Sequence, residues 1–231
     1  MRKTSVQFVA LFLSSLFVAL FLSSVALPTH ADVEREFSVD DFDSVTVSQG
    51  INLNLVMGSV SSVTAVADKD SDLDRLEIEV DEGELEIRRG SWVSGLFSIG
   101  KSHGSVTVNV VASELQAVAS SSGANADLID ITCADLQIDA SSGSRIEVSG
   151  SCDMVAIDAS SGASVDSSDL MTIDASVDSS SGASIRVFAG ESFRGDASSG
   201  SSIRVYGNPE VAESETSSGA SIDLRSHAQT I

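Results

Sequence analysis

The sequence predicts an all-β protein whose main body is a parallel β-helix, or β-solenoid, with about 19–20 residues per coil. Three observations lead to this prediction. A phrase centred on Ser-Ser-Gly recurs six times between Ala119 and Leu224, the residues after each glycine alternate in character, and two cysteines lie one repeat apart. A fixed period is typical of a solenoid, in which each coil buries its apolar residues against its neighbours. The alternative is an antiparallel sandwich of short strands.

The glycine of the repeat recurs at spacings of 20, 19, 20, 18 and 19 residues. We expect it to occupy either a corner or a close backbone approach that a Cβ atom would obstruct. A helical solenoid is disfavoured, because the Ser, Gly, Asp, Val and Ile that dominate this stretch favour strands and turns. The repeat glycines are Gly123, Gly143, Gly162, Gly182, Gly200 and Gly219.

The residues after each glycine follow a period of two. The third and fifth are apolar in most copies, whereas the fourth is charged in all six. Such alternation indicates a strand whose charged side chains point outward. We name the fourth-position residues the charged column; they are Asp127, Glu147, Asp166, Arg186, Arg204 and Asp223.

Cys133 and Cys152 are 19 residues apart, at nearly the same phase of neighbouring repeats. Stacked strands lie about 4.8 Å apart, within the Cα separation of about 4.4–6.8 Å that a disulfide tolerates. The spacing therefore predicts a Cys133–Cys152 disulfide between two coils. Two free, stacked thiols are the alternative.

Residues 1–31 have the organisation of a secretory signal peptide. Arg2 and Lys3 precede an apolar stretch from Val6 to Leu27, and Thr29-His30-Ala31 offers a cleavage site before Asp32. We therefore expect an exported protein of the periplasm, the cell surface or the medium, without a membrane span after cleavage. An uncleaved membrane anchor is the alternative.

The amino-acid composition limits the classes of partner that the protein is expected to bind. The formal net charge is −21, and loss of the two positive charges at Arg2 and Lys3 would make it −23. So acidic a chain is not expected to bind nucleic acid or anionic membranes, both of which need a basic face. An aromatic content of only 5% also weakens the case for carbohydrate binding by stacking.

Residues 32–231 are expected to form one domain, in which residues 32–112 supply N-terminal cap strands and residues 113–231 supply the repeat coils. Phe37 and Phe42 are expected to cover the start of the core, and Asn208-Pro209 to form a loop in the last coil. The segments before the repeats that predict strands are Ser44–Val56, Val60–Ala67, Leu76–Val80, Glu84–Arg88 and Val106–Val111, with an acidic turn at Asp68–Arg75 and a loop at Ser91–Gly104.

Several of these segments together resemble a known bacterial family. They are the strand Phe42–Val47 followed by Gly50-Ile51-Asn52, the turn Ala67-Asp68, the strand Leu85–Ile87 and the Ser-Gly-Ala-Ser units. The family they resemble is described as "putative auto-transporter adhesin, head GIN domain". The resemblance implies an exported all-β protein with a right-handed β-helix-like region, and the adhesin label names no ligand.

The residue four before each repeat glycine is acidic in five copies of the six. Stacked coils would align these residues, which we name the carboxylate ladder: Asp139, Asp158, Asp178, Asp196 and Glu215. We favour a solvated acidic edge that discourages stacking between molecules. The alternative is a row of weak Ca²⁺ sites at Asp139, Asp158, Asp178 and Asp196, since hard cations prefer carboxylate oxygens. No other cofactor is expected.

A second acidic cluster, Asp68 to Glu79, superficially resembles an EF-hand loop. Leu73 stands where that loop needs glycine, and the flanks predict strands rather than helices. We do not expect a metal site there.

The sequence predicts a non-enzymatic binding or scaffold module of the cell envelope, whose ligand is a protein or a glycan. Its serines are periodic, which indicates structure, whereas a catalytic nucleophile would occur once. The expected contact surface comprises the serines next to the repeat glycines, which would stack into a ladder along the solenoid, and the outward charged columns. The alternative is a β-helix polysaccharide lyase or hydrolase that uses Arg186 and Arg204 near the carboxylate ladder, with a cleft near Ser91–His103.

Overall fold

The computed structural model describes residues 32–90 and 104–225. Within them 65% of residues lie in strands and 2% in helix, and the strands form a β-solenoid of about five turns. The predicted fold class is confirmed. The predictions for the signal peptide and its cleavage site, and for the loop that holds Trp92 and His103, lie outside the described residues.

The elements before the repeats comprise seven strands and one short helix. They are β1 (Val33–Phe37), β2 (Ser44–Val47), β3 (Asn52–Met57), β4 (Ser62–Ala67), α1 (Asp70–Leu73), β5 (Leu76–Asp81), β6 (Glu84–Arg89) and β7 (Val106–Ala112). The repeats supply β8 (Ala117–Ser120), β9 (Asn125–Ala140), β10 (Arg145–Ala159), β11 (Ser164–Ser179), β12 (Ser184–Phe188), β13 (Ser192–Ala197), β14 (Ser202–Tyr206), β15 (Val211–Thr216) and β16 (Ser221–Arg225).

Each Ser-Ser-Gly turn separates two stacks of parallel strand segments. Residues that follow a turn pair with residues that follow the neighbouring turn, and we name this stack the post-turn face. Residues that precede a turn pair in the same way and form the pre-turn face. Strands β9, β10 and β11 are long enough to contribute to both faces. Outward side chains of successive coils therefore align in columns.

The repeat glycines occupy corners, which is one of the two positions predicted for them; the other was a close backbone approach. Ser142 and Gly143 have φ angles of 52° and 71°, and the Ser144 amide donates to the Ser141 carbonyl at 3.1 Å, which is the pattern of a type I′ turn. The Gly143 amide donates at 3.1 Å to the Ser161 carbonyl of the next turn, so the turns bond to one another. Space around the repeat glycines is open, which excludes a close backbone approach there.

The core lies between the two faces. The post-turn face contributes the third and fifth residues after each glycine, and the pre-turn face contributes residues such as Ile138, Ile157 and Val177. Ile146, Ile185 and Val187 are all at most 1% exposed. Ser167 interrupts the apolar fifth position, and its buried hydroxyl donates to the Arg186 carbonyl at 2.9 Å. Leu224 is 53% exposed because no described strand stacks on β16.

The N-terminal region both caps the solenoid and contributes to it. Gln49 and Gly50 have φ angles of 60° and 68°, like the repeat turns, so β2 and β3 form a coil with the same kind of corner. That coil lies between strands β6 and β7 on one side and strands β8 and β9 on the other. The predicted cap thus includes true coils, and β1, β4 and β5 cover the end by antiparallel pairing.

The N-terminal region matches the sequence predictions at its aromatic residues and at β5 and β6, and differs from them at Asp68–Arg75. Phe42 is buried and Phe37 packs against the core, as expected. The predicted strands Leu76–Val80 and Glu84–Arg88 are present as β5 and β6, which pair antiparallel as a hairpin. The segment Asp68–Arg75 is not a simple turn, because it contains the one-turn helix α1, which buries Leu73 against the core.

The predicted disulfide is present. Cys133 and Cys152 are paired in the ladder of β9 and β10, with their Cα atoms 4.7 Å apart, and their sulfurs are bonded. The free-thiol alternative is therefore wrong. The bond links two adjacent coils at the same position of the repeat.

Candidate functional site

The carboxylate ladder lies on the pre-turn face with its residues in register. Asp139 pairs with Asp158, Asp158 with Asp178, Asp178 with Asp196, and Asp196 with Glu215. The predicted stacking is confirmed. Four of these acids, with serines from three turns, line a shallow groove of about 480 Å³.

Repulsion between the carboxylates of the ladder affects the pKa of Asp178, its central residue. Loss of hydration raises the pKa of Asp178, and the neighbouring charges of Asp196 and Asp158 raise it further. Arg194, which lies two residues before Asp196, partly offsets this by favouring the charged form. Asp178 therefore resists ionisation unless a cation or solvent screens the charges beside it.

The Ca²⁺ interpretation of the ladder stays a prediction. Within residues 32–90 and 104–225, no three Asp, Glu, His or Cys side chains are grouped so that they could hold a metal ion. A cation on the ladder would therefore be held by few carboxylates and by water, at the weak end of protein Ca²⁺ affinity.

The acidic cluster around α1 is engaged by arginines. Arg35 of β1 donates to Asp70 at 2.6 Å and to Asp74 at 2.9 Å. Asp72 is buried and accepts from Arg75 at 2.9 Å. These ion pairs attach β1 and the following chain to α1, which gives the acidic residues a structural role.

The charged column lies on the post-turn face, also in register. Asp127, Glu147 and Asp166 follow one another, and Arg186, Arg204 and Asp223 continue the same column. The column mixes like-charged and oppositely charged neighbours, so its residues differ in electrostatic environment.

The pKa values of two acids in the charged column are shifted in opposite directions. Loss of hydration, and then the charge of Glu147, raise the pKa of Asp127. At Asp166 loss of hydration acts the same way, but hydrogen bonds from Ser168 and Arg186 outweigh it and lower the pKa. The Arg186–Asp166 ion pair is 2.9 Å long, which makes Asp166 the better stabilised anion.

The structure places Arg186 and Arg204 on the post-turn face, whereas the ladder lies on the pre-turn face. The expectation that these arginines lie with the ladder is not met, because a Ser-Ser-Gly turn separates the two columns. The arginine that influences the ladder is Arg194, which the sequence analysis missed. Its signal was present, since residues two apart in a strand share a face.

A pair of aromatic residues was also missed. Phe188 and Tyr206 are paired between β12 and β14, at the sixth position after Gly182 and Gly200. They follow Arg186 and Arg204 by two residues and so share the outward side of the same strands. Extending the repeat comparison by one residue would have found them.

The part of the chain that the structure describes contains no helix with the length and apolar character needed to cross a membrane.

Comparison with known proteins shows the family. The family described as "putative auto-transporter adhesin, head GIN domain" matches residues 41–209. No curated protein matches the sequence.

Several solved bacterial structures share the fold. A protein from Bacteroides fragilis described as a "putative adhesin" is 13% identical with a TM-score of 0.63, over 86% of this chain and 99% of that one. A "putative adhesin" from Parabacteroides distasonis is 16% identical with a TM-score of 0.53, over 85% and 95%. A "putative lipid binding protein" from the same species is 15% identical with a TM-score of 0.50, over 84% and 96%. At these identities the likeness shows the fold alone. The family match, which spans well over half of the sequence, shows that this chain belongs to the family described as "putative auto-transporter adhesin, head GIN domain".

Proposed function

We propose that the chain is an exported, non-enzymatic binding module of the cell envelope with an adhesin-like role. The observation that carries the proposal is the alignment of outward side chains in columns along both faces. A partner with repeating groups would meet an acidic side chain on successive coils of the pre-turn face and a charged side chain on each coil of the post-turn face. Several weak contacts of this kind add up to useful avidity without a deep pocket.

Export is supported by two independent features. Residues 1–31 have the sequence of a signal peptide. The Cys133–Cys152 disulfide suits an oxidising compartment such as the periplasm or the cell exterior. The family name and the names of two structural relatives are consistent with a surface role.

The lyase or hydrolase alternative gains no observation in its favour. Such an enzyme would combine carboxylates with a nearby basic residue at one cleft. Here Arg186 already pairs with Asp166 on the post-turn face. Arg194 influences the ladder, but it does not line the groove and is paired with Glu213 at 3.6 Å. We therefore propose binding alone.

The test is a direct binding measurement. Labelled protein without residues 1–31 is added to intact producing cells and to their isolated envelopes, with excess unlabelled protein as competitor. The proposal expects saturable, competable binding and no release of glycan fragments. Absence of saturable binding to every surface tested would contradict a binding role, and release of reducing ends would favour the enzyme.

A further inference from the structure

The post-turn face carries a cationic and aromatic patch at its C-terminal end. In β12 the outward residues include Arg186 and Phe188, and the residues paired with them in β14 are Arg204 and Tyr206. Arg225 of β16 is paired with Tyr206. We name these five residues the arginine–aromatic patch. Its two rings and two of its guanidinium groups occupy matching positions on neighbouring strands, about 4.8 Å apart along the solenoid.

Within this patch Arg204 retains its full hydrogen-bonding capacity. Arg186 is paired with Asp166 at 2.9 Å, and Arg225 with Asp223 at 2.6 Å. Arg204 makes no hydrogen bond or ion pair with any residue of the described chain, although its strand is paired on both sides. A guanidinium group presents five donors in a planar fork that matches carboxylate, sulfate and phosphate groups.

The surroundings direct an anion to this patch. The chain has a formal net charge of −21, and the pre-turn face presents the carboxylate ladder, so most of the surface repels anions. The patch contains three arginines, of which Arg186 and Arg225 are ion-paired with Asp166 and Asp223. Asp223 is also in register with Arg204, but its ion pair is with Arg225. An anionic group is therefore best accommodated beside Arg204.

The aromatic rings indicate what kind of anion fits. Phe188 and Tyr206 are half-buried and outward-facing, and they offer an apolar surface beside the guanidinium groups. Ser184 and Ser202 are paired on the same side of the same strands and add hydroxyl groups. Apolar rings, hydroxyls and a free guanidinium together suit a sugar ring that bears a negative charge.

The strand pairing disfavours a peptide as the ligand. β12 is paired with β11 and β14, and β14 with β12 and β16. No main-chain edge is therefore free at β12 or β14, and a peptide could not pair with either strand. Of the three strands that carry the patch, only β16, which holds Arg225, has an edge that no described strand covers. A polymer that binds through its side groups needs no such edge.

We propose that the arginine–aromatic patch binds an anionic polysaccharide, with Arg204 holding its acidic group and Tyr206 and Phe188 contacting its sugar rings. The proposal rests on the binding role inferred above and names the ligand class. Carboxylated and sulfated polymers share the required chemistry, and the experiment distinguishes them.

The test measures binding of the exported chain to four polymers by titration calorimetry. They are polygalacturonate, dextran sulfate, neutral dextran and polyglutamate. We expect binding to one or both anionic polysaccharides, at least tenfold weaker binding to polyglutamate, and none to dextran. Arg204→Gln should weaken binding at least tenfold, whereas Arg194→Gln, the same charge change on the pre-turn face, should change it less than twofold.

Circular dichroism and thermal unfolding of both variants establish that they fold, and Tyr206→Ala provides a second variant, expected to weaken binding severalfold. Wild-type affinity in folded Arg204→Gln would overturn the proposal. Equal affinity for polyglutamate would replace it with an acidic-peptide site, and failure of the wild type to bind either anionic polysaccharide would also overturn it. In that last case, saturable binding to envelopes would leave the proposed binding function intact.

Discussion

Asp178 and Asp196 are paired on neighbouring coils, and both carry carboxylates on the pre-turn face. The pKa of Asp178 is raised above its ordinary value of 3.8, first by loss of hydration and then by the charges of Asp196 and Asp158. The folded chain therefore binds a proton at Asp178 more tightly than the unfolded chain does. This contribution favours folding at low pH and is lost as the pH rises through the raised pKa.

We expect Asp178→Asn to raise stability at neutral pH, because the variant removes an exposed but partly desolvated charge between two like charges. Below pH 3.8 the wild-type carboxyl is largely protonated, so the gain should disappear. At about 0.5 M NaCl the neutral-pH gain should shrink, since salt screens the exposed part of the repulsion. Urea unfolding under the three conditions measures the effect.

Asp135→Asn is the matched control for this prediction, because Asp135 is an exposed acid on the same face but is paired with Met154 rather than with another acid. Its stability at neutral pH should change less than that of Asp178→Asn. Equal gains from both substitutions would show that net charge, and not the ladder, sets the penalty.

The ladder also gives a prediction for Ca²⁺. Since no three metal-binding side chains group together in the described residues, we expect millimolar Ca²⁺ to raise the melting temperature no more than Mg²⁺ at the same concentration. Thermal unfolding monitored by circular dichroism is the measurement. A larger rise with Ca²⁺ that is lost in Asp158→Ala plus Asp178→Ala would establish the cation site.

The disulfide gives a prediction for stability. Removing it with Cys133→Ala plus Cys152→Ala should cost about 3 kcal/mol, because the bond closes a short loop and limits the unfolded chain. For a chain of this size the melting temperature should fall by about 6–12 °C. Differential scanning calorimetry measures this, and dithiothreitol should lower the wild-type value toward that of the double variant. An unchanged melting temperature in the double variant would contradict the predicted role.

Two glycines with different surroundings give a paired prediction. Gly162 has a φ of 72° with open space around it, so Gly162→Ala should cost about 1 kcal/mol through backbone strain alone. Gly150 has a φ of 132°, and a Cβ atom there would overlap the carbonyl oxygen of Ile131. Gly150→Ala should therefore add an overpacking cost of about 1–3 kcal/mol to the strain. Urea unfolding ranks the two variants, and a cost at Gly162 equal to that at Gly150 would contradict the corner interpretation.

The sequence predicted those features that depend on the repeat period. A spacing of 18–20 residues places Asp158 beside Asp178 and Cys133 beside Cys152, because each coil returns to the same phase. The buried third and fifth positions follow from the alternation alone. For such features, the position of a residue in one coil predicts the position of the equivalent residue in the next coil.

The remaining features could not be predicted from the repeat. Some lie outside the repeats, and one lies just beyond the repeat positions that were compared. The coil of β2 and β3 lies between strands that are distant in sequence, and no local pattern encodes that order. The helix α1 forms in an aspartate-rich segment because Leu73 is buried and Arg35 pairs with Asp70 and Asp74. Tyr206 was missed because it lies one residue beyond the compared positions.

The location of the protein on the producing cell tests the proposed surface role. Intact cells and lysed cells are treated with proteinase K, and the protein is then detected with an antibody, with a cytoplasmic protein as the integrity control. A surface binding module predicts digestion on intact cells while the control protein survives. Protection on intact cells followed by digestion after lysis would contradict a surface adhesin and would place any partner inside the envelope.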